Sequence, residues 1–252
     1  MKLGVVDGNA SVSLAAAGAE VTFVPAAGML STALRYHGED YLHAEAGGIP
    51  ILHPWANRLR EPGFKVAGTS VDFSQRSGWR ADPNGLPIHG TMTGQPDWEV
   101  LRVAADAKAA ALVARFDYAE HDELMAMFPF PHSLEVVVRV EPIIPAPRGR
   151  STAPKARVVI GTTIRATGRR RVPVSFGWHP YFRLPGVKRA DVVLGLPQRD
   201  HLDLDDRQLP TGHSRREGAE ARPLGKRELD DAFKLGRDRC LSIEGGGRRL
   251  AA

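Results

Sequence analysis

Four short stretches gather the side chains able to do acid–base or hydrogen-bonding chemistry. They are residues 47–59 (GGIPILHPWANRL), 85–90 (GLPIHG), 176–184 (FGWHPYFRL) and 229–233 (LDDAF). Each sets a titratable or polar group among aromatics, glycine or proline, the mixture that fixes an irregular backbone beside a site. His179 precedes Pro180, so its backbone is biased to an extended shape, and Tyr181 and Phe182 wall it with apolar area. A histidine can donate or accept a proton in a reaction. Taken alone, it reads more readily as a core histidine with one satisfied hydrogen bond. His89, between Ile88 and Gly90, carries the same pair of readings. Arg58, beside Asn57, offers fork donors suited to hydroxyl or carboxylate oxygens, or to an ordinary salt bridge. Asp230 could accept two hydroxyl hydrogens or simply form a turn.

Other chemistries find little support. The chain has no G-x-S-x-G, P-loop, dinucleotide fingerprint or H-E-x-x-H. Its nine histidines include no pair with strong ligand spacing; His37/His43 and His121/His132 are the ones considered. His53 is a secondary pocket candidate. Tyr41, Trp79 and Trp98 read as core or loop contacts. With one cysteine, Cys240, neither an intrachain disulfide nor a cysteine-built zinc site is expected. No cofactor and no metal are expected.

The elements that must position these groups are strands. Leu134, Val136, Val138 and Val140 alternate on one face, as do Val158, Ile160, Thr162 and Ile164, and shorter sets occur at Leu112–Ala114–Phe116 and Val192–Leu194–Leu196. Val12 and Leu14, a turn at Gly18, and residues 21–24 read as a hairpin. Phe64 to Val66, Ala67-Gly68, and Val71 to Phe73 read as another. No window holds a helical apolar stripe over three turns. Glycine at 26 and proline at 19 suit many short strands and turns. The expected fold is all-β, an antiparallel sandwich forming a single domain over 1–252. Residues 142–154 read as a hairpin tip and 204–227 as a long polar surface excursion.

The net charge of +5 is local. Arg148, Arg150, Lys155, Arg157, Arg165, Arg169, Arg170 and Arg171 fall in one stretch without an acid, and the rest of the chain is net acidic. No aromatic interleaves that run, so a nucleic-acid stacking platform is absent and solvated loops around a strand are expected. No apolar run approaches the length of a membrane helix, and residues 1–10 do not read as a signal peptide. The expectation is a cytoplasmic protein without membrane or specific nucleic-acid partners, able to form a homo-oligomer.

Taken in order, the four motifs resemble the aldose 1-epimerase (galactose mutarotase-like) family, with G-G-I-P-I-L-H-P-W-A-N-R-L, L-P-I-H-G, F-G-W-H-P-Y-F and L-D-D-A-F as the matching text. The resemblance implies a large β-sandwich that interconverts the anomers of free aldoses without metal or cofactor. It implies that His179 is the general acid at the sugar ring oxygen and that His89 orients the sugar there. Arg58, supported by Asn57, and Asp230 would hold hydroxyls, with Asp231 the near neighbour. It also implies a glutamate base on one of the last strands, after the D-x-x-F element. Glu228 and Glu244 lack that context, so the expected base lies beyond Ala252 and the chain reads as lacking its last strands. Two other readings compete. One is a hexose-6-phosphate 1-epimerase using Arg60, Arg76 or Arg80 for phosphate; the other is a sugar-binding protein without catalysis.

Overall fold

The computed structural model describes residues 1–143 and 155–252. Residues 144–154, with Arg148, Arg150 and most of the expected hairpin tip, lie outside the described residues. The chain divides into two compact units, Met1–Tyr181 and Phe182–Ala252. Each is described by itself.

The first unit begins with a five-stranded antiparallel sheet: β1 (Lys2–Val6), β2 (Asn9–Ala16), β3 (Ala19–Val24), β4 (Leu30–Tyr36) and β5 (Glu39–Asp40), in that order. Its two-residue turns are Asp7-Gly8, Ala17-Gly18 and His37-Gly38, with positive φ at both positions (48° and 78° at the first). This backbone twist matches that of the flanking strands, which is why a glycine second in the turn favours the hairpin. Short pieces follow: β6 (Ile51–Leu52), the hairpin β7 (Gly63–Val66) and β8 (Thr69–Asp72), β9 (Arg80–Ala81) and β10 (Pro87–Ile88). A second antiparallel sheet is built from β11 (Glu99–Ala105), β12 (Ala110–Phe116), β13 (His132–Ile143) and β14 (Lys155–Ala166), again in chain order. The only α-helix among the described residues, α1 (Asp122–Met127), fills the connection from β12 to β13. At six residues it is too short to show an apolar stripe.

The two large sheets of this unit share one core. Val12, Leu14, Val21 and Phe23 from the first meet Leu112, Ala114, Phe116, Leu134, Val136, Val138 and Val140 from the second, and all are buried. Each Val, Leu or Phe among them contributes about 1.5–3 kcal/mol on leaving water. The period-two alternation is realised on β13 and β14, whose register pairs Val138 with Ile160 and Val136 with Thr162. Lys155, Arg157 and Arg165 occupy the opposite, exposed face of β14. Tyr41 and Trp98 are buried as expected, and Trp79 packs at the core margin.

β15 (Gly177–Trp178) closes the first unit by pairing with β6. The second unit contains β16 (Val193–Leu196), β17 (Arg199–Leu204), β18 (Pro210–Glu217), β19 (Glu220–Pro223), β20 (Ala232–Leu235), β21 (Ser242–Gly245) and β22 (Arg248–Ala251). They form two antiparallel sheets in the orders β19-β16-β21-β22 and β18-β17-β20. Here the sequence reading of 204–227 as a surface excursion is corrected: most of it is strand. β18 is exposed along nearly its whole length, so it has no apolar face to reveal it. Its backbone ladder to β17, flanked by ion pairs such as Arg216–Asp200 at 3.1 Å, supports it instead.

Candidate functional site

Three of the four motifs meet in the first unit, and backbone hydrogen bonds bring them together. The 47–59 and 176–181 stretches pair through β6 and β15, with Gly177 opposite Leu52 and Trp178 opposite Ile51. The ladder extends past these strands: His179 N–H donates to Pro50 O (3.1 Å) and Tyr181 N–H to Gly48 O (3.0 Å). Trp178 Nε1 adds a bond to Thr162 Oγ1 on β14 at 3.0 Å. The 85–90 stretch joins from the other side. Leu59 N–H donates to Pro87 O (2.8 Å) and His89 N–H to Asn57 O (3.3 Å). The carbonyl of His53 accepts from both Thr91 (2.8 Å) and Met92 (3.3 Å).

The close approach at His53 explains Gly90. A Cβ there would lie 2.1 Å from His53 O, so only glycine fits. The preceding residue pays for this geometry. His89 has φ +66°, a left-handed conformation that costs a non-glycine residue about 1–2 kcal/mol. Such strain persists only where surrounding bonds over-determine it, and it concentrates at functional sites.

His89 and His179 face each other with ring centroids 5.1 Å apart at 62°. The Tyr181 ring lies 4.8 Å from the His179 ring between centroids. His179 Nδ1 is buried and has no hydrogen-bond partner. Burial, then the His179 ring and the Arg80 and Arg58 cations, push His89 down to about 4. It is therefore a neutral ring at pH 7, able to donate from one nitrogen and accept at the other.

Arg58 is fixed by a residue the sequence reading did not single out. Its Nε donates to Asp82 Oδ2 at 2.6 Å, and Nη1 reaches Asn57 Oδ1 at 3.4 Å. The Arg58 side chain is 14% exposed and that of Asp82 1%, so the pair is largely desolvated. Asp82 also closes the β9–β10 turn, its Oδ1 accepting from Asn84 and Leu86 N–H at 2.8 Å each. Burial works against its charge, but Arg58 and these backbone donors outweigh it and hold its carboxyl below the usual range. The A-D-P-N-G text shows a turn-forming aspartate. Nothing in the text shows its second oxygen taken by an arginine 24 residues away.

His53 is a structural group rather than a pocket histidine. It is fully buried, and its Nε2 lies 2.8 Å from Nε2 of His132, which is also fully buried. His53 Nδ1 meets Ser175 O at 2.9 Å and His132 Nδ1 meets Phe130 O at 2.6 Å. Burial, followed by the neighbouring His132, pushes His53 down to about 3, and burial lowers His132 as well. A neutral pair has two N–H groups. One lies between the rings and the other serves one of the two carbonyls.

Asp230 belongs to the second unit, exposed just ahead of β20. Asp231 is tied to His201, with Oδ1 3.0 Å from Nε2. Glu244, on β21, pairs with Arg249 Nε at 3.1 Å. Among the described residues no group of three or more His, Cys, Asp or Glu is placed to hold a metal ion, and no helix is long and apolar enough to cross a membrane.

Several solved structures share this fold. A galactose mutarotase-like protein from Clostridium acetobutylicum aligns with a TM-score of 0.74 at 18% identity, over 98% of this chain and 74% of that one. The Slr1438 protein from Synechocystis aligns with a TM-score of 0.70 at 23% identity, over 100% of this chain and 80% of that one. An aldose epimerase homologue from C. elegans aligns with a TM-score of 0.64 at 15% identity, over 98% of this chain and 76% of that one. No curated protein matches the sequence at a significant level. The sequence profile described as aldose 1-epimerase matches residues 3–141, which include the Arg58 and His89 motifs and the Asp82 anchor. The chain belongs to the aldose 1-epimerase family.

Proposed function

We propose that this protein interconverts the α and β anomers of a free aldohexose such as glucose or galactose, with His179 as the general acid. The observation that carries this reading is the facing His89–His179 pair beside the anchored Arg58. His179 delivers a proton to the ring oxygen while the anomeric hydroxyl gives one up to a base. The C1–O5 bond breaks and the aldehyde forms. Rotation about C1–C2 presents the other carbonyl face, and reclosure returns both protons. Such positioned groups contribute about 10²–10⁴-fold each. His89, neutral and strained into place, orients the sugar near the ring oxygen. Arg58 and Asn57 bind hydroxyls.

Among the described residues, the charged and imidazole groups acting on His89 are His179, Arg80 and Arg58, none of them a carboxylate. Asp82 is committed to Arg58 and two backbone N–H groups, which makes it a poor proton acceptor. This commitment favours a second reading, a protein that binds sugar without turning it over. Polarimetry on fresh α-D-glucose and α-D-galactose, beside calorimetric titration of the same sugars, separates the two: anomerisation supports the first, binding alone the second, and neither overturns both. The Arg80 charge beside His89 keeps a phosphorylated hexose in the comparison, so glucose 6-phosphate belongs in the same series.

Arg58→Lys tests the hydroxyl-binding role. Lysine retains the charge but loses the fork that serves Asp82 and a ligand together. Sugar affinity is expected to fall about tenfold, the loss of one charge-assisted hydrogen bond. Unchanged affinity by calorimetry would remove Arg58 from the binding set.

A further inference from the structure

Asp82 lies outside the four motifs, and its two carboxylate oxygens serve two different elements of the first unit. Oδ2 accepts from Arg58 Nε at 2.6 Å. Oδ1 accepts from Asn84 and Leu86 N–H at 2.8 Å each. The backbone of Asp82 joins the same turn, its N–H donating to Leu86 O (2.9 Å) and its carbonyl accepting from Gly85 (3.0 Å). This turn leads directly into β10, and His89 is the residue after β10. On one flank β10 pairs with β9, Ile88 opposite Arg80; on the other flank Ile88 stands opposite Arg58. The Arg58–Asp82 ion pair therefore ties the two flanks of β10 together, next to His89.

The donor count shows what the pair leaves over. A guanidinium has five N–H groups in a rigid planar fork. One serves Asp82 and one reaches Asn57, and among the described residues Nη2 has no partner. Holding a planar group by its inner nitrogen fixes the direction of its outer ones. The pair is largely desolvated, with Asp82 1% and Arg58 14% exposed at the side chain, so water competes little for the contact. Arg58 thus meets a ligand with its fork already oriented, and the ordering cost of a long side chain is met on folding rather than on binding.

We infer that Asp82 is a positioning residue for sugar recognition, presenting the outer nitrogens of Arg58 through Oδ2 and setting the turn that delivers His89 through Oδ1. This inference rests on the reading of Arg58 and His89 as sugar-binding groups. One carboxylate then fixes the spacing between two sugar contacts without touching the sugar itself.

The test is calorimetric titration of D-galactose and D-glucose into the full chain and its variants, with urea midpoints and NMR of the arginine Nε–H groups on the same samples. In Asp82→Asn the amide oxygen can keep the two turn N–H groups, while its NH₂ meets Arg58 Nε–H donor to donor. Binding is expected to weaken about tenfold, the scale of one hydrogen bond to a charged group. In an Arg58→Leu background the same change should cost no further affinity, because it acts through Arg58; a purely structural role would add its cost in both backgrounds. Asp82→Ala frees the turn as well and should bind more weakly than Asp82→Asn. In the unaltered chain the Arg58 Nε–H should exchange slowly with solvent before any sugar is added, a measurement that needs no variant to fold. A folded Asp82→Asn protein of unchanged affinity beside a weakened Arg58→Leu protein overturns the inference alone, as does an Arg58 Nε–H that slows only with sugar. Equal affinities for Asp82→Asn and Asp82→Ala overturn the link to His89. Unchanged binding in Arg58→Leu removes Arg58 from the binding set and this inference with it, whereas no binding or turnover by the unaltered chain overturns the sugar reading itself.

Discussion

His179→Ala is expected to lower kcat for anomerisation by about 10²–10⁴-fold while KM changes only a few-fold. The split follows from the geometry. A general acid interacts most strongly with the ring oxygen as that oxygen gains its proton, so its loss falls on the transition state rather than on the bound sugar. Ground-state contacts from Arg58, Asn57 and His89 would remain. The fold should tolerate the change. The backbone of residue 179 keeps its N–H bond to Pro50 O, and the side chain gives up ring contacts to His89 and Tyr181 together with a nitrogen, Nδ1, that has no partner. Polarimetry with near-ultraviolet circular dichroism as a fold control checks it. A folded His179→Ala protein that turns over sugar at the original rate would reassign the acid. The contrast with Arg58→Lys is informative in itself, since that change should act on affinity first.

The second large effect is on stability as the pH falls. His53 has its pKa lowered from 6.5 to about 3 in the folded protein. The unfolded chain accepts a proton at this residue below about 6.5, and the folded chain refuses it until about 3. Its contribution is therefore complete above about pH 6.5 and is lost progressively as pH drops through that window, at about 1.36 kcal/mol per unit. Between pH 6.5 and pH 4.5 this amounts to roughly 2–3 kcal/mol, a large share of a typical 5–15 kcal/mol. His132 and the half-buried His89 are lowered in the same sense and add to the loss. Urea midpoints measured at pH 7.5, 6 and 5 should fall steadily, and His53→Asn should flatten the trend while lowering the starting value. Equal midpoints across that range would show that the buried pair does not control acid stability.

Much of the fold is legible in the sequence because a strand with one face in a core must alternate. β13 and β14 show this directly, Leu134 to Val140 facing inward and Arg157 and Arg165 outward. β18 is illegible for the converse reason. With no buried face its sequence carries no period, and only its ladder partner on β17 defines it. The site divides in the same way. Arg58, His89 and His179 are visible because glycine, proline and aromatics mark the unusual backbone around them. Their anchors are not. Asp82 advertises a turn and conceals an ion pair. His53 and His132 are 79 residues apart, and a backbone carbonyl such as Ser175 O leaves no trace in residue identity.

That spacing bears on how the protein folds. The His53 ring reaches Ser175 across 122 residues of chain, while its carbonyl accepts from Thr91 and Met92. None of these contacts forms within a local hairpin, so each must await closure of a long loop. The β1–β5 meander and the β11–β14 meander join neighbours in sequence and can zip early. The node at His53 is expected to assemble last, after both sheets have met. A chain with such contacts folds slowly for its size. Its sugar-binding capacity should appear in the final kinetic phase, after most of the strand signal is already in place.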